Sequence, residues 1–192
     1  MPENFNVQLK AATDKLHQEL ETTDTSKNIV SPNLSVEKYA DYLQKTYIIH
    51  YDVENIVFPV LKNIVSGITL RLKCEKITND LSFLPQKHLS EKMVLLDEDY
   101  HNNIGFNLGL MYVTEGSVLG GQFILKNVKR TLGEQTPTTF LNVYNDKTGS
   151  LWKSFIASLN EYANKNDDHE REQIISGALY GFKRVYAIFT SN

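Results

Sequence analysis

The chain has 192 residues, 41% hydrophobic and 22% charged, which is enough for one hydrophobic core and is the composition of an ordinary globular protein. A formal net charge of −3 gives no basic excess to draw in nucleic acid or an anionic membrane surface. The single cysteine, Cys74, excludes an internal disulfide framework and fits a reducing, cytoplasmic setting; the N-terminus lacks the apolar stretch of a signal peptide, and no apolar run reaches the roughly 18 residues of a membrane span.

Helical periodicity dominates and sustained two-residue alternation is missing, so the expectation is an all-α fold, one domain over residues 1–192. The first helix should run from Phe5 to Glu21, with Phe5, Leu9, Ala12, Leu16 and Leu20 on one face. Ser35 reads as the N-cap of a second long helix through Tyr39, Leu43 and Tyr47 toward Phe58, where Pro59 either starts a new turn or kinks the old one. Leu61 to Leu72 and Ile77 to Leu84 read as shorter helical pieces. After Ser90 the pattern turns helical again, from about Asn102 to Lys129, and Gly133 to Pro137 connects onward. Thr148-Gly149-Ser150 precedes a helix to about Asn164, and Asp167 or Asp168 caps a last helix carrying Ile174, Ala178, Phe182, Val185 and Phe189.

Residues Ile104–Val128 hold five of the ten glycines, Gly105, Gly109, Gly116, Gly120 and Gly121. Inside a helix each costs about 1 kcal/mol against alanine, so something must offset them. At 100° per residue, Gly105, Gly109, Gly116 and Gly120 fall within about 60° of one another, which strips one side of the helix to its backbone. Three readings compete: a close helix crossing, a membrane dimer motif, and a flat ligand lying on the backbone. Asn107, Glu115, Gln122 and Lys126 speak against the membrane. The adjacent pair Gly120-Gly121 predicts a kink, which a ligand-hugging bend would use.

His17 lies about 100° round from Leu16, at the edge of the first helix's apolar stripe. Glu21 follows at i+4, where a carboxylate can take the proton of one ring nitrogen and leave the other to bind metal. Lys10 lies about 10 Å back along the axis, a reach suited to a carboxylate on the rim of a large ligand. A half-buried histidine with a surface ion pair explains the same pattern. The other histidines, His50, His88, His101 and His169, have no comparable company.

Together these segments resemble the heme oxygenase family. Leu9-Lys10-Ala11-Ala12-Thr13-Asp14-Lys15-Leu16-His17-Gln18-Glu19-Leu20-Glu21 is similar to its proximal helix, and Tyr112-Val113-Thr114-Glu115-Gly116-Ser117-Val118-Leu119-Gly120-Gly121 to its distal helix in the bacterial form. Asn79-Asp80-Leu81-Ser82-Phe83 and Leu151-Trp152-Lys153-Ser154 are weaker echoes in the same order. The resemblance implies a heme sandwiched between the two helices, with His17 as iron ligand and Glu21 orienting it. Gly116 and Gly120 would lay backbone against the heme face, with Gly121 beside them. Lys10 and Lys153 would pair with the propionates, with Lys126 as a further partner; Tyr112 and Phe182 would line the pocket. Ser117 stands where mammalian members have an aspartate, so backbone and hydroxyl groups would order the distal water.

The implied reaction uses dioxygen and external electrons to open heme to biliverdin, carbon monoxide and ferrous iron. A neutral histidine ligand lacks the thiolate push that favours O–O cleavage. No G-x-G-x-x-G fingerprint is present, so a separate reductase or ferredoxin is implied as donor. Rival readings are a heme carrier or sensor on the same fold, and a di-iron oxidase on a related helical scaffold, for which Glu98-Asp99-Tyr100-His101 offers a single E-x-x-H match. A thiaminase of similar fold would need a catalytic cysteine, a role to which Cys74 is poorly suited.

Overall fold

The computed structural model describes residues 4–85 and 102–191, and among them the chain is helical, with no strand. Helix α1 (Phe5–Glu21) has the expected bounds. Its buried stripe differs by one position, since Thr13 is buried where Ala12 was expected. The Thr13 hydroxyl donates to the Leu9 carbonyl at 2.9 Å, which lets a polar residue occupy the inner face. Thr23 caps the short α2 (Asp24–Ile29), and Ser35 caps α3 (Val36–Asp52) by accepting from the Lys38 amide at 3.3 Å.

Pro59 starts a new turn, the first of the two alternatives. A wider π-turn over Val53–Val57 joins α3 to α4 (Phe58–Leu61), with Pro59 in the first turn of α4, where its missing N–H is harmless. The helix expected over Leu61–Leu72 shrinks to a single 3₁₀ turn, Ile68–Arg71, preceded by Gly67 at φ +67°. Helix α5 spans Cys74–Leu81, three residues earlier than the sequence suggested at each end. Its exposed N-terminal amides explain the shift: the carboxylate of Glu54 accepts from the amides of Lys73 and Cys74 at 2.5 and 2.8 Å, a cap supplied from the π-turn. The segment after Ser90 and the Glu98–His101 motif lie outside the described residues.

Asn103 caps α6 (Ile104–Ser117), a 3₁₀ turn over Val118–Gly120 breaks the line, and α7 (Gly121–Leu132) continues to Gly133 at φ +103°. The expected kink at Gly120-Gly121 is therefore a change of helix type. Helices α8 (Thr148–Lys165) and α9 (Asp168–Thr190, capped by Asp167) complete the chain.

The most extensive packing is α6 against α9, followed by α1 against α9. Glycine permits the first of these. A Cβ on Gly109 would lie 1.9 Å from the Ile174 carbonyl oxygen, and one on Gly177 would lie 1.9 Å from that of Phe106. Here the two helices meet backbone to backbone. Gly105 likewise abuts Glu170 and Gln173. The N-terminal half of the glycine row thus serves a helix crossing and is no part of a ligand groove. Around the crossing, Leu9, Val57, Leu61, Leu108, Leu110, Phe155 and Ile174 form the main core, while Ile29, Tyr39, Leu43, Ile77, Val128 and Leu141 form a second cluster. Asp80 joins the second cluster to the loop before α8, accepting from the Thr139 and Phe140 amides at 2.9 Å each.

Candidate heme site

With the N-terminal glycines used against α9, the C-terminal pair is left open. A Cβ on Gly116 would meet only the edge of Trp152, at 3.7 Å, and one on Gly120 would meet nothing within 4 Å. Both face a cavity of about 630 Å³, well within the roughly 300–1,000 Å³ of cofactor and ligand sites. Helix α1 forms one wall with Asn6, Lys10, Thr13, Asp14, His17, Leu20 and Glu21. The opposite wall comes from α6, the 3₁₀ turn and α7, through Tyr112, Val113, Gly116, Ser117, Leu119, Gly120 and Phe123. Trp152, Phe182, Val185 and Phe189 close one side, and Tyr42, Thr46, Ile49 and His50 of α3 close another.

His17 projects from α1 with 58% of its side chain exposed, its ring edge-on to buried Phe182. Nδ1 faces the Glu21 carboxylate at 3.6 Å, an electrostatic contact too long for a hydrogen bond. Nε2 has no hydrogen-bond partner among the described residues. An imidazole with one nitrogen directed at a carboxylate and the other free is the arrangement of a metal-ligating histidine. Lys10, two turns earlier, also reaches the cavity and forms no ion pair among the described residues.

Three of the hydroxyls on the walls are already engaged. Ser117 donates to the Thr114 carbonyl at 2.8 Å, Thr46 to Tyr42 at 2.7 Å, and Ser26 to Leu20 at 2.8 Å. Toward a ligand or water they can only accept. His50 differs. It is buried, its Nδ1 has no hydrogen-bond partner, and burial, with the nearby Lys73 charge, holds its pKa well below 6.5. The neutral ring carries one donor and one acceptor, and His50 is among the residues that line the cavity. His50 had no supporting pattern in the sequence, although Tyr42, Thr46 and Ile49 at helical spacing mark the same face of α3.

A second arrangement was not foreseen. Beneath Gly116, the carboxylate of Glu115 is buried and accepts from Arg71 at 2.5 Å, Lys73 at 2.6 Å and the Tyr144 hydroxyl at 2.9 and 3.1 Å. Burial pushes its pKa up, but Lys73, Arg71 and the Tyr144 hydrogen bond more than reverse this and hold it below the usual carboxylate range. These partners come from residues 44 and 42 positions upstream and 29 downstream, so no local sequence pattern announces them.

Of the sequence-derived candidates, Lys10, His17, Glu21, Tyr112, Gly116, Ser117, Gly120 and Phe182 line the one cavity. Gly121 does not: a Cβ there would lie 2.9 Å from the Leu141 carbonyl, so its small size serves the packing of α7 on the loop behind it. Lys126 and Lys153 are exposed and stand outside the lining. Cys74 is also outside it, its thiol pushed up to about 12 by burial and Glu54, which argues against a nucleophile. Among the described residues no three His, Cys, Asp or Glu side chains cluster to hold a metal ion, and no helix is long and apolar enough to cross a membrane.

The comparisons with known proteins bear on family and fold. The heme oxygenase family model matches residues 3–191. Heme oxygenase PigA of Pseudomonas aeruginosa is 26% identical over 178 residues, covering 92% of this chain and 86% of that protein. The fold is shared with heme oxygenase from Leptospira interrogans (TM-score 0.73, 17% identity, 98% of this chain and 99% of that one). It is shared equally with the NO- and CO-bound enzyme of Neisseria meningitidis (0.72, 23%, 96% and 89%) and with heme oxygenase-1 of the cyanobacterium Synechocystis in complex with heme (0.76, 15%, 97% and 91%). The chain belongs to the heme oxygenase family and is an enzyme that cleaves heme to biliverdin, carbon monoxide and ferrous iron.

Proposed function

We propose that heme, the substrate, lies in the cavity between α1 and the α6–α7 break, with its iron on Nε2 of His17. The observation that carries this assignment is the pairing of a free imidazole nitrogen on one wall with two glycines on the other that nothing in the fold requires to be small. Bound there, heme supplies the iron that activates dioxygen against its own ring.

The chain's residues supply orientation and hydrogen bonding. Phe182 and Glu21 fix the His17 ring. Lys10 brings to the cavity an ammonium with no ion-pair partner among the described residues, suited to a heme carboxylate. Gly116 and Gly120, with no side chain, would let the distal backbone approach the ring face closely. Ser117 and Thr46, their own protons engaged, hold water as acceptors, and His50 can donate to it. Lys126 and Lys153, exposed on neighbouring helices, serve as outer partners for the heme carboxylates. One heme oxygenase domain spans the chain, working in the cytoplasm, with electrons delivered by a separate reductase or ferredoxin.

Heme titration followed by absorption spectroscopy tests the assignment. The expected result is one heme per chain with a histidine-ligated spectrum, which His17→Ala loses. An identical spectrum in His17→Ala would remove His17 as the ligand.

A further inference from the structure

We propose that Arg71 is a positioning residue that sets the width of the cavity at its Gly116–Trp152 wall, and through that width influences which edge of the macrocycle is opened; this rests on the cavity being the heme site.

Arg71 is fully buried at the end of the 3₁₀ turn Ile68–Arg71. Its Nη1 donates to the Glu115 carboxylate at 2.5 Å and its Nη2 to the Leu151 carbonyl at 3.0 Å. Glu115 immediately precedes Gly116, and Leu151 immediately precedes Trp152. Gly116 and Trp152 face each other across the wall, with 3.7 Å between the ring and the position a Gly116 Cβ would take. Two nitrogens of one rigid, planar group therefore hold the end of α6 and the start of α8 on either side of that contact. Trp152 in turn packs against Tyr112 with centroids 5.7 Å apart and planes inclined at 43°, so a shift of α8 would be passed on to α6 at a second point of the wall.

Charge neutralisation alone does not explain the arrangement. Nε of Arg71 is buried without a partner among the described residues, a cost accepted while both Nη groups are directed at the two helices. Lys73 supplies the contrast. It is equally buried and bonds the other oxygen of Glu115 at 2.6 Å, but its remaining hydrogen bond goes to the Arg71 carbonyl at 3.1 Å, and none reaches α8. Lys73 shares the charge role and the contact with Glu115 but lacks the second link, to Leu151 of α8, that makes Arg71 a clamp.

The test compares full-length Arg71→Lys, Glu115→Gln and Lys73→Met with the native chain. Trp152 is the only tryptophan, so acrylamide quenching of its fluorescence reports the wall before heme is added. The second readout is the ratio of biliverdin isomers after turnover. Arg71→Lys keeps the charge but cannot span both acceptors, and Glu115→Gln weakens the α6 half of the clamp. Both should raise Trp152 quenching and change the isomer ratio by about threefold or more, a small part of what an ångström of misplacement costs an oriented reaction. Lys73→Met should lower the melting temperature and leave both readouts at native values. Native quenching and isomer ratio in folded Arg71→Lys or Glu115→Gln, or an equal shift in Lys73→Met, overturns the proposal. Failure of the native chain to bind heme would instead defeat the site assignment, and the quenching comparison would still report on the clamp.

Discussion

The ring of His17 meets the ring of Phe182 edge-on, with centroids 5.8 Å apart and planes inclined at 78°. Phe182 is buried on α9, whereas His17 stands mostly exposed on α1. With Glu21 too distant for a hydrogen bond, this aromatic contact does most to limit rotation of the imidazole. Phe182→Leu keeps an apolar side chain there and removes the aromatic edge, an interaction of about 1 kcal/mol. Heme affinity measured by titration should fall about fivefold, since 1.4 kcal/mol is tenfold. An unchanged affinity would show that the imidazole is oriented by something else.

The glycine row divides into two functions, and two alanine substitutions separate them. Gly109→Ala drives a methyl group into the Ile174 carbonyl of α9 and should destabilise the heme-free chain by at least the roughly 1–3 kcal/mol of an overpacked core. Gly120→Ala enters open space and should leave the heme-free chain as stable or up to about 1 kcal/mol more stable. With heme the order reverses, Gly120→Ala losing affinity and turnover because its methyl group occupies the ring's place. Denaturant melts and heme titrations of both variants check this. Equal heme binding by Gly120→Ala and the native chain would take that glycine out of the site.

That division marks what the sequence could reveal. Angular position on one helix put Gly105, Gly109, Gly116 and Gly120 on a common side, but it carries no information about where along the helix the partner changes. Gly177 and Gly181, which complete the crossing on α9, lie more than 60 residues away, and only tertiary packing pairs them with α6. His17 could be singled out in the sequence because Glu21 lies one turn away on the same helix. His50 and the Arg71–Glu115–Lys73 cluster were not, since their partners come from distant segments. The bounds of α1 and the caps at Ser35 and Asp167 were readable because capping is local. The start of α5 was missed because its cap comes from Glu54, on another turn.

His50 gives the fold a pH dependence of definite sign. Its folded pKa lies well below 6.5, so between those values the unfolded chain binds more protons than the folded one. The contribution is fully present above pH 6.5 and is lost as pH falls from 6.5 toward the folded pKa. Urea unfolding at about pH 7.5 and about pH 5 should show the native chain losing stability over this interval and His50→Gln losing less of it. Equal losses in the two proteins would mean that another group carries the dependence.

The most direct test of the account is a single measurement of product. Heme-loaded native protein, given dioxygen and either ascorbate or a reductase, should convert its heme to biliverdin identified by chromatography, and His17→Ala under the same conditions should yield none. Heme that stays bound and intact in the native protein, or biliverdin formed equally by His17→Ala, would contradict it.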